Sequence, residues 1–293
     1  MSNSRQIAER YLELSTRLGE GPVWDDENDS LLFVDILEGL VFIHSPRKGL
    51  TRSINIGRHV GAVVPRLKGG LVVAVREGFG FLDGDEFTLF ASPYDARPNM
   101  RMNDAACDPI GRWFAGSMAY DGASGAGEVW RLDLDQTLSV AIQDVTISNG
   151  MGWSADGRTC FYIDTPTKSV DAFDYDVDRG VMSKRRIFAD LRAEEGLPDG
   201  LALDSEGGIW VAMYGGGCLV RLTPRGNVDC RIEVPLARLV TSCVFGGDDL
   251  SRLFITTAAE PMSPSDLKVQ PNAGGLFVCE PGWAGLPPVA YGG

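Results

Sequence analysis

The sequence predicts an all-β chain folded as a six-bladed β-propeller, and three observations carry that prediction. A two-strand unit recurs six times, strand-like runs bounded by Gly, Asp and Pro fill the chain, and helical runs are few. The unit reads as a polar residue, a small or apolar strand, an Asp/Ser/Gly turn, and a second strand rich in aromatic and β-branched residues. It is clearest in Glu20–Asp35, Asn103–Ser117, Asn149–Asp164 and Asp199–Ala212, with weaker copies at Gly61–Val75 and Thr241–Thr256. Their leading residues, 20, 61, 103, 149, 199 and 241, lie 41, 42, 46, 50 and 42 apart. A four-stranded blade takes about 40–50 residues. A β-sandwich with coincident turn spacing is the competing architecture, and spacing this regular weighs against it.

The third strand of several blades is also readable, in Gly127–Asp133, Val170–Tyr175 and Cys218–Leu222. A propeller protects its first and last edges by closing the ring. The alternating segment Tyr11–Ser15 precedes the first blade, so it is expected to pair as the outer strand of the last one. Residues 1–293 are then one propeller domain, with 1–17 as closing strand and lead-in. A single large all-β domain of this length can bury roughly three quarters of its unfolded surface. The segment from Pro287 to Gly293 is too rich in Gly and Pro to assign.

Composition narrows the function. With 27 Lys and Arg against 40 Asp and Glu, the net charge is −13, which argues against nucleic acid and anionic membranes and suits holding a cation. Residues 1–10 contain no apolar signal core and no stretch approaches 18 apolar residues, so a cytoplasmic protein is expected. Six dispersed cysteines without a CxxC pair read as reduced, mostly buried thiols.

In a propeller the residues leading each innermost strand converge on one end of the central channel. Here they are Glu20, Gly61, Asn103, Asn149, Asp199 and Thr241. Acid and amide side chains at equivalent ring positions make an oxygen-rich cluster, whereas singly such residues usually cap turns. Oxygen donors without nitrogen or sulfur select hard divalent cations, with Ca²⁺ first and Mg²⁺ or Mn²⁺ beside it; Zn²⁺ fits less well. The only histidines, His44 and His59, lead no strand, so a three-His zinc site is excluded by counting. His44 reads as packing, and His59 lies just before the second anchor. No GxSxG elbow, GxGxxG or GKS/T segment is present. Metal-assisted chemistry with a carboxylate base remains.

The chain resembles the senescence marker protein/gluconolactonase family, which includes regucalcin and bacterial aldonolactonases. The resemblance rests on Gly19–Trp24, Arg101–Asp104 with Gly116–Met118, Ser148–Gly150, Tyr162–Asp164, Asp171–Asp176, Leu197–Gly200, Thr241–Cys243 with Phe245–Gly247, and Ala273–Gly275. It implies one catalytic divalent ion in the channel, held by Glu20, Asn149 and Asp199. It also implies that Arg101 and Asn103 contact substrate. A loop Glu that contacts sugar hydroxyls in family members has Asp121 as its nearest equivalent here, one methylene shorter.

The implied reaction is hydrolysis of a sugar-acid lactone such as gluconolactone. The metal polarises the carbonyl, Asp199 acts as general base, and Arg101, Asn103 and Asp121 position the sugar. Because a metal-binding carboxylate is a weak base, hydroxide on the ion is the alternative nucleophile. The rival readings are a calcium-binding regulatory propeller without turnover and an organophosphate hydrolase. A monomer is the default for a closed propeller. Trp24, Trp113, Trp130, Trp153 and Trp210 read as inter-blade packing, Lys184–Arg186 as a solvated turn, and Tyr120 as a candidate lid residue.

Overall fold

The computed structural model describes residues 4–293; the first three residues of the lead-in lie outside it. Strands β1 (Ser4–Ile7) and β2 (Glu9–Leu12) precede the first blade, which is β3 (Gly19–Asp25), β4 (Ser30–Asp35), β5 (Leu40–Ser45) and β6 (Leu50–Asn55). The second blade is β7 (Val60–Pro65), β8 (Leu71–Val75), β9 (Gly78–Asp83) and β10 (Glu86–Ala91). The third is β11 (Met100–Cys107), β12 (Trp113–Ala119), β13 (Gly127–Leu132) and β14 (Leu138–Val145). The fourth is β15 (Ser148–Trp153), β16 (Thr159–Asp164), β17 (Ser169–Asp176) and β18 (Val181–Asp190). The fifth is β19 (Leu197–Leu203), β20 (Ile209–Tyr214), β21 (Cys218–Leu222) and β22 (Val228–Glu233). The sixth is β23 (Val240–Gly246), β24 (Arg252–Thr257) and β25 (Leu276–Cys279), with a short helix α1 (Pro264–Val269) between its last two strands.

These strands form six sheets, antiparallel within each blade and ordered inner to outer, so the chain is an all-β six-bladed propeller. The innermost strands are the most buried and the outermost the most exposed, as β3 and β6 illustrate. Each seam between neighbouring blades holds its own apolar cluster, six in all. The tryptophans fill these seams. Trp24 stacks on Phe254 between the first and sixth blades at 5.9 Å, and Trp113 meets Phe79 at 5.8 Å. Trp153 meets Phe114 at 5.3 Å and Trp210 meets Phe245 at 6.2 Å. Trp130 donates its indole N–H to the Tyr94 hydroxyl at 2.7 Å.

β2 pairs antiparallel with β25 and supplies the outer strand of the sixth sheet. It spans residues 9–12, two residues ahead of the segment singled out in the sequence. The lead-in also contributes β1, which adds in parallel to β22 as a fifth strand of the fifth sheet. The basic run Lys184–Arg186 lies on the outer strand β18 and not in a turn, because the Asp171 and Asp174 carboxylates of β17 pair with it. His44 is buried, its ring nitrogens bonded to Thr51 and Tyr11. All six cysteines are free thiols. Among the described residues no helix is long and apolar enough to cross a membrane.

Candidate active site

Every innermost strand breaks register with its neighbour at its leading residue. The shifts fall between Glu20 and Val23, Val60 and Ala62, Met102 and Ala105, Ser148 and Met151, Pro198 and Leu201, and Val240 and Ser242. A bulge interrupts the two-residue alternation and re-aims a side chain. Six of them at one end of the channel turn the six leading residues into a ring. Glycine allows the strands to close up there: a Cβ on Gly61 would sit 2.5 Å from the Asn103 carbonyl oxygen. A Cβ on Gly150 would sit 2.6 Å from the Leu201 nitrogen.

A chain of hydrogen bonds crosses three blades at this ring. Arg101 Nη1 donates to Asn103 Oδ1 at 2.6 Å and to the Met102 carbonyl at 3.0 Å. Asn103 Nδ2 donates to the Ser148 carbonyl at 2.8 Å and to Asn149 Oδ1 at 3.1 Å. Asn149 Nδ2 donates to Thr165 Oγ1 at 2.8 Å, and that hydroxyl donates to the Pro198 carbonyl at 2.8 Å, one residue before Asp199. All of these side chains are buried. Thr165 thereby sets the amide orientation, with the oxygen of Asn149 on the side of Asn103. Thr241, the sixth leading residue, bonds the Gly19 carbonyl at 2.5 Å and fixes the strand that carries Glu20.

Glu20, Asp199 and Asp104 are the charged groups of the ring, with Arg101 as their buried counter-charge. Burial pushes the Glu20 carboxyl up to about 8, with Asp104 adding repulsion and the Gly21 N–H and Arg101 opposing. Burial, then Glu20 and Asp104, push Asp199 well above the usual carboxylate range. Asp104 rises to about 6, chiefly by burial. Glu20 accepts one hydrogen bond, from Gly21 N at 2.9 Å, and among the described residues none donates to the Asp199 carboxylate. Buried carboxylates this poorly satisfied fit a hard cation, since like charges out of water need a counter-ion. Among the described residues no group of three or more His, Cys, Asp or Glu side chains is disposed to hold a metal. The candidate donors are two carboxylates, Glu20 and Asp199, and the Asn149 amide oxygen.

Glu20, Arg101, Asn103, Asn149 and Asp199 therefore come together, whereas Asp121 stands apart. It lies on the exposed loop after β12, and its Oδ1 accepts from Ala123 N at 3.1 Å, capping its own turn. Three groups at the ring are absent from the sequence reading as site residues: Asp104, Thr165 and the partly buried Tyr214. The Tyr214 hydroxyl is pushed up to about 12 by burial, then by Asp199 and Glu20. The Asn103–Asp104 pair was visible as a motif, but consecutive strand residues face opposite ways unless a bulge intervenes.

Beyond the ring, a cavity of about 450 Å³ continues along the channel, lined by Asp104, Trp24, Trp113, Trp153 and Phe245 and capped by Leu286–Val289. The C-terminal segment crosses this far end. Gly285 bridges to Asp204 and Tyr291 to Arg66, with Tyr291 N bonded to the Pro65 carbonyl at 2.8 Å.

Fold and site define a β-propeller with buried acid and amide side chains gathered at one end of its channel. The chain belongs to the SMP-30/Gluconolactonase/LRE-like family, whose model matches residues 18–259. A Bacillus subtilis (strain 168) protein named as a sugar lactone lactonase, YvrE, is 38% identical over 287 residues, covering 96% of this chain and 98% of its own. Human regucalcin is 37% identical over 294 residues, covering 97% and 98%. The crystal structure of a calcium-binding protein, regucalcin, from Agrobacterium tumefaciens str. C58 superposes with a TM-score of 0.94 at 26% identity, covering 99% of each chain.

Proposed function

We propose that this protein hydrolyses a sugar-acid lactone of the aldonolactone type, using one divalent ion held by Glu20, Asn149 and Asp199. The observation that carries the reading is the pairing of two poorly satisfied buried carboxylates with the Arg101–Asn103–Asn149 chain at one end of the channel. The family, and the name of the Bacillus relative, support the same chemistry. The all-oxygen donor set favours Ca²⁺, with Mg²⁺, Mn²⁺ and Zn²⁺ as the other candidates. Bound there, the ion would supply Lewis-acid polarisation of the lactone carbonyl and charge stabilisation of the developing oxyanion.

The chain's own residues do the remaining work. Arg101 and Asn103 hold ring hydroxyls and fix the carbonyl carbon in place. Asp199 accepts a proton at its carboxylate from the attacking water as the water oxygen bonds to that carbon. The ring C–O bond then breaks, its electron pair goes to the ring oxygen, and the proton on Asp199 passes to that oxygen. The product is the open hydroxy acid. The same reading takes residues 1–293 as one domain, acting as a monomer in the cytoplasm. Asp121 enters the substrate contacts only by turning out of its cap.

A second reading, a calcium-binding propeller without turnover, draws on the description of the Agrobacterium neighbour as a calcium-binding protein. Arg101 and Asn103 count against it, because storing an ion needs no group that grips a sugar. Acid release from gluconolactone and related aldonolactones, followed with a pH indicator on EDTA-stripped protein with and without each ion, separates the two. Ion-restored hydrolysis supports the lactonase; tight binding of the ion with no lactone opened supports the binding protein.

A further inference from the structure

At the mouth of the channel two side chains from neighbouring blades are locked together. The Tyr120 hydroxyl and His59 Nδ1 are 2.6 Å apart, and the rings meet edge to face with centroids 5.6 Å apart. Both backbones are pinned. Tyr120 follows β12 and donates its N–H to the Asn99 carbonyl at 2.8 Å, at the entrance to β11. His59 precedes β7, and its carbonyl accepts the Arg76 N–H at 2.9 Å. Since Met100 pairs with Ala119, Tyr120 stands just beyond the strand end that carries Arg101. The Arg101 guanidinium is within electrostatic reach of both rings. Tyr120 is 39% exposed, so a molecule entering the channel meets it.

The rest of this loop offers a substrate little. Asp121 is engaged in its own turn, and Gly122 to Ala126 carry only one polar side chain, that of Ser124. The Tyr120 hydroxyl and His59 Nδ1 are spent on each other, which leaves His59 Nε2 as the one polar ring atom of the pair without a partner among the described residues. A lactone held by Arg101 and Asn103 would therefore meet a phenol ring and an imidazole above its far end. A ring face suits C–H groups, and a fixed bridge limits length.

We propose that the Tyr120–His59 bridge is the specificity-determining wall of the site, and that it restricts the substrate to short lactones of pentonolactone size. This rests on the lactonase reading above and narrows it to one substrate class. Neither residue is assigned a part in bond making; both act by excluding the longer tail.

The test uses a matched pair, L-arabinono-1,4-lactone and D-galactono-1,4-lactone, which differ by one terminal hydroxymethyl-bearing carbon. With ion-loaded protein, the pentonolactone is expected to win in kcat/KM by about tenfold or more, the scale on which a pocket rejects an added group. Tyr120→Ala is expected to bring the ratio within about threefold. Tyr120→Phe keeps the ring, loses the hydrogen bond and retains most of the preference, and His59→Ala falls between. Circular dichroism checks each variant's fold, and His59→Ala carries the test if the Tyr120→Ala variant unfolds, an unchanged ratio there overturning the wall. Equal kcat/KM values in the wild type, or a ratio untouched by Tyr120→Ala, overturn the wall while leaving the lactonase reading intact. If no lactone is opened, that reading falls, and calorimetry with arabinonate and galactonate then judges the wall: equal or absent binding overturns it.

Discussion

Thr165 holds Asn149 by its amide nitrogen, Asn149 Nδ2 donating to the threonine hydroxyl at 2.8 Å. That single bond decides which end of the amide faces Asn103 and the carboxylates. Asn149 Oδ1 is then left with one long bond, 3.1 Å from Asn103 Nδ2, and is available to a cation. Partners that orient a metal ligand typically contribute about 10–100-fold to affinity. Thr165→Val keeps the shape of the side chain and removes the hydroxyl. It is expected to weaken Ca²⁺ binding by about that factor in calorimetric titration. Thr165→Ser, which keeps the hydroxyl, is expected to restore it. Equal affinity in the Val variant would show that the Thr165 hydroxyl does not set Asn149 for the ion.

The two candidate carboxylate ligands should separate function from stability. Asp199→Ala and Glu20→Ala are each expected to lower kcat on an aldonolactone by roughly a thousandfold or more, the loss seen when a group acting in the transition state is removed. Arg101→Ala is expected mainly to raise KM, because Arg101 positions the sugar. Without metal, removing a carboxyl whose charged form is disfavoured by burial and by Asp104 relieves that cost, so Glu20→Ala is expected to raise the metal-free melting temperature. Wild-type turnover by Asp199→Ala with the ion present would remove Asp199 as the base.

The raised Glu20 carboxyl also fixes the sign of a pH effect. Its ordinary value is 4.5 and its folded value about 8. Between these, the unfolded chain has released the proton that the folded chain still holds. The unfolded state therefore binds fewer protons, and stability falls as pH rises. The metal-free protein is expected to lose melting temperature from about pH 4.5 to about 8 and to level off beyond. Ca²⁺ binds the ionised form, so saturating ion is expected to flatten the slope, and Glu20→Gln to reduce it. A metal-free melting temperature that rises across this range would contradict the burial assigned to Glu20.

The sequence carries the blade count because each inner strand opens on a polar or small residue and is followed by a Gly- or Asp-rich turn. Glu20, Asn149 and Asp199 stand out for the same reason. What it conceals depends on pairing. The bulge between Met102 and Ala105 brings Asp104 into the channel beside Asn103, yet a bulge exists only relative to a partner strand. Thr165 touches Asn149 from a short turn after β16, 16 residues away, with no motif to announce it. Asp121 resembles a substrate contact in sequence, but an Asp followed by Gly readily caps its own loop. The parallel strand β1 is only four residues long. The tail is rich in Gly and Pro, and bonds from Gly285 and Tyr291 give it its course.

The two lead-in strands should differ in what their removal does. β1 only adds to a sheet that β19 to β22 already form, whereas β2 covers the edge of β25 and closes the ring. β2 also carries Tyr11, which packs on His44 and Phe254 at 5.3 Å each and lies under Arg252 at 5.1 Å. An uncovered edge strand is a template for pairing with another chain. Deleting residues 1–7 is therefore expected to leave a monomer whose melting temperature falls by a few degrees, about 1–2 kcal/mol for a chain of this size. Deleting residues 1–12 is expected to lower it much further and to produce dimers or aggregates in size-exclusion chromatography with light scattering. If the longer deletion stays monomeric and melts like the shorter one, β2 contributes no more to closure than β1, and the ring is held by its seams alone.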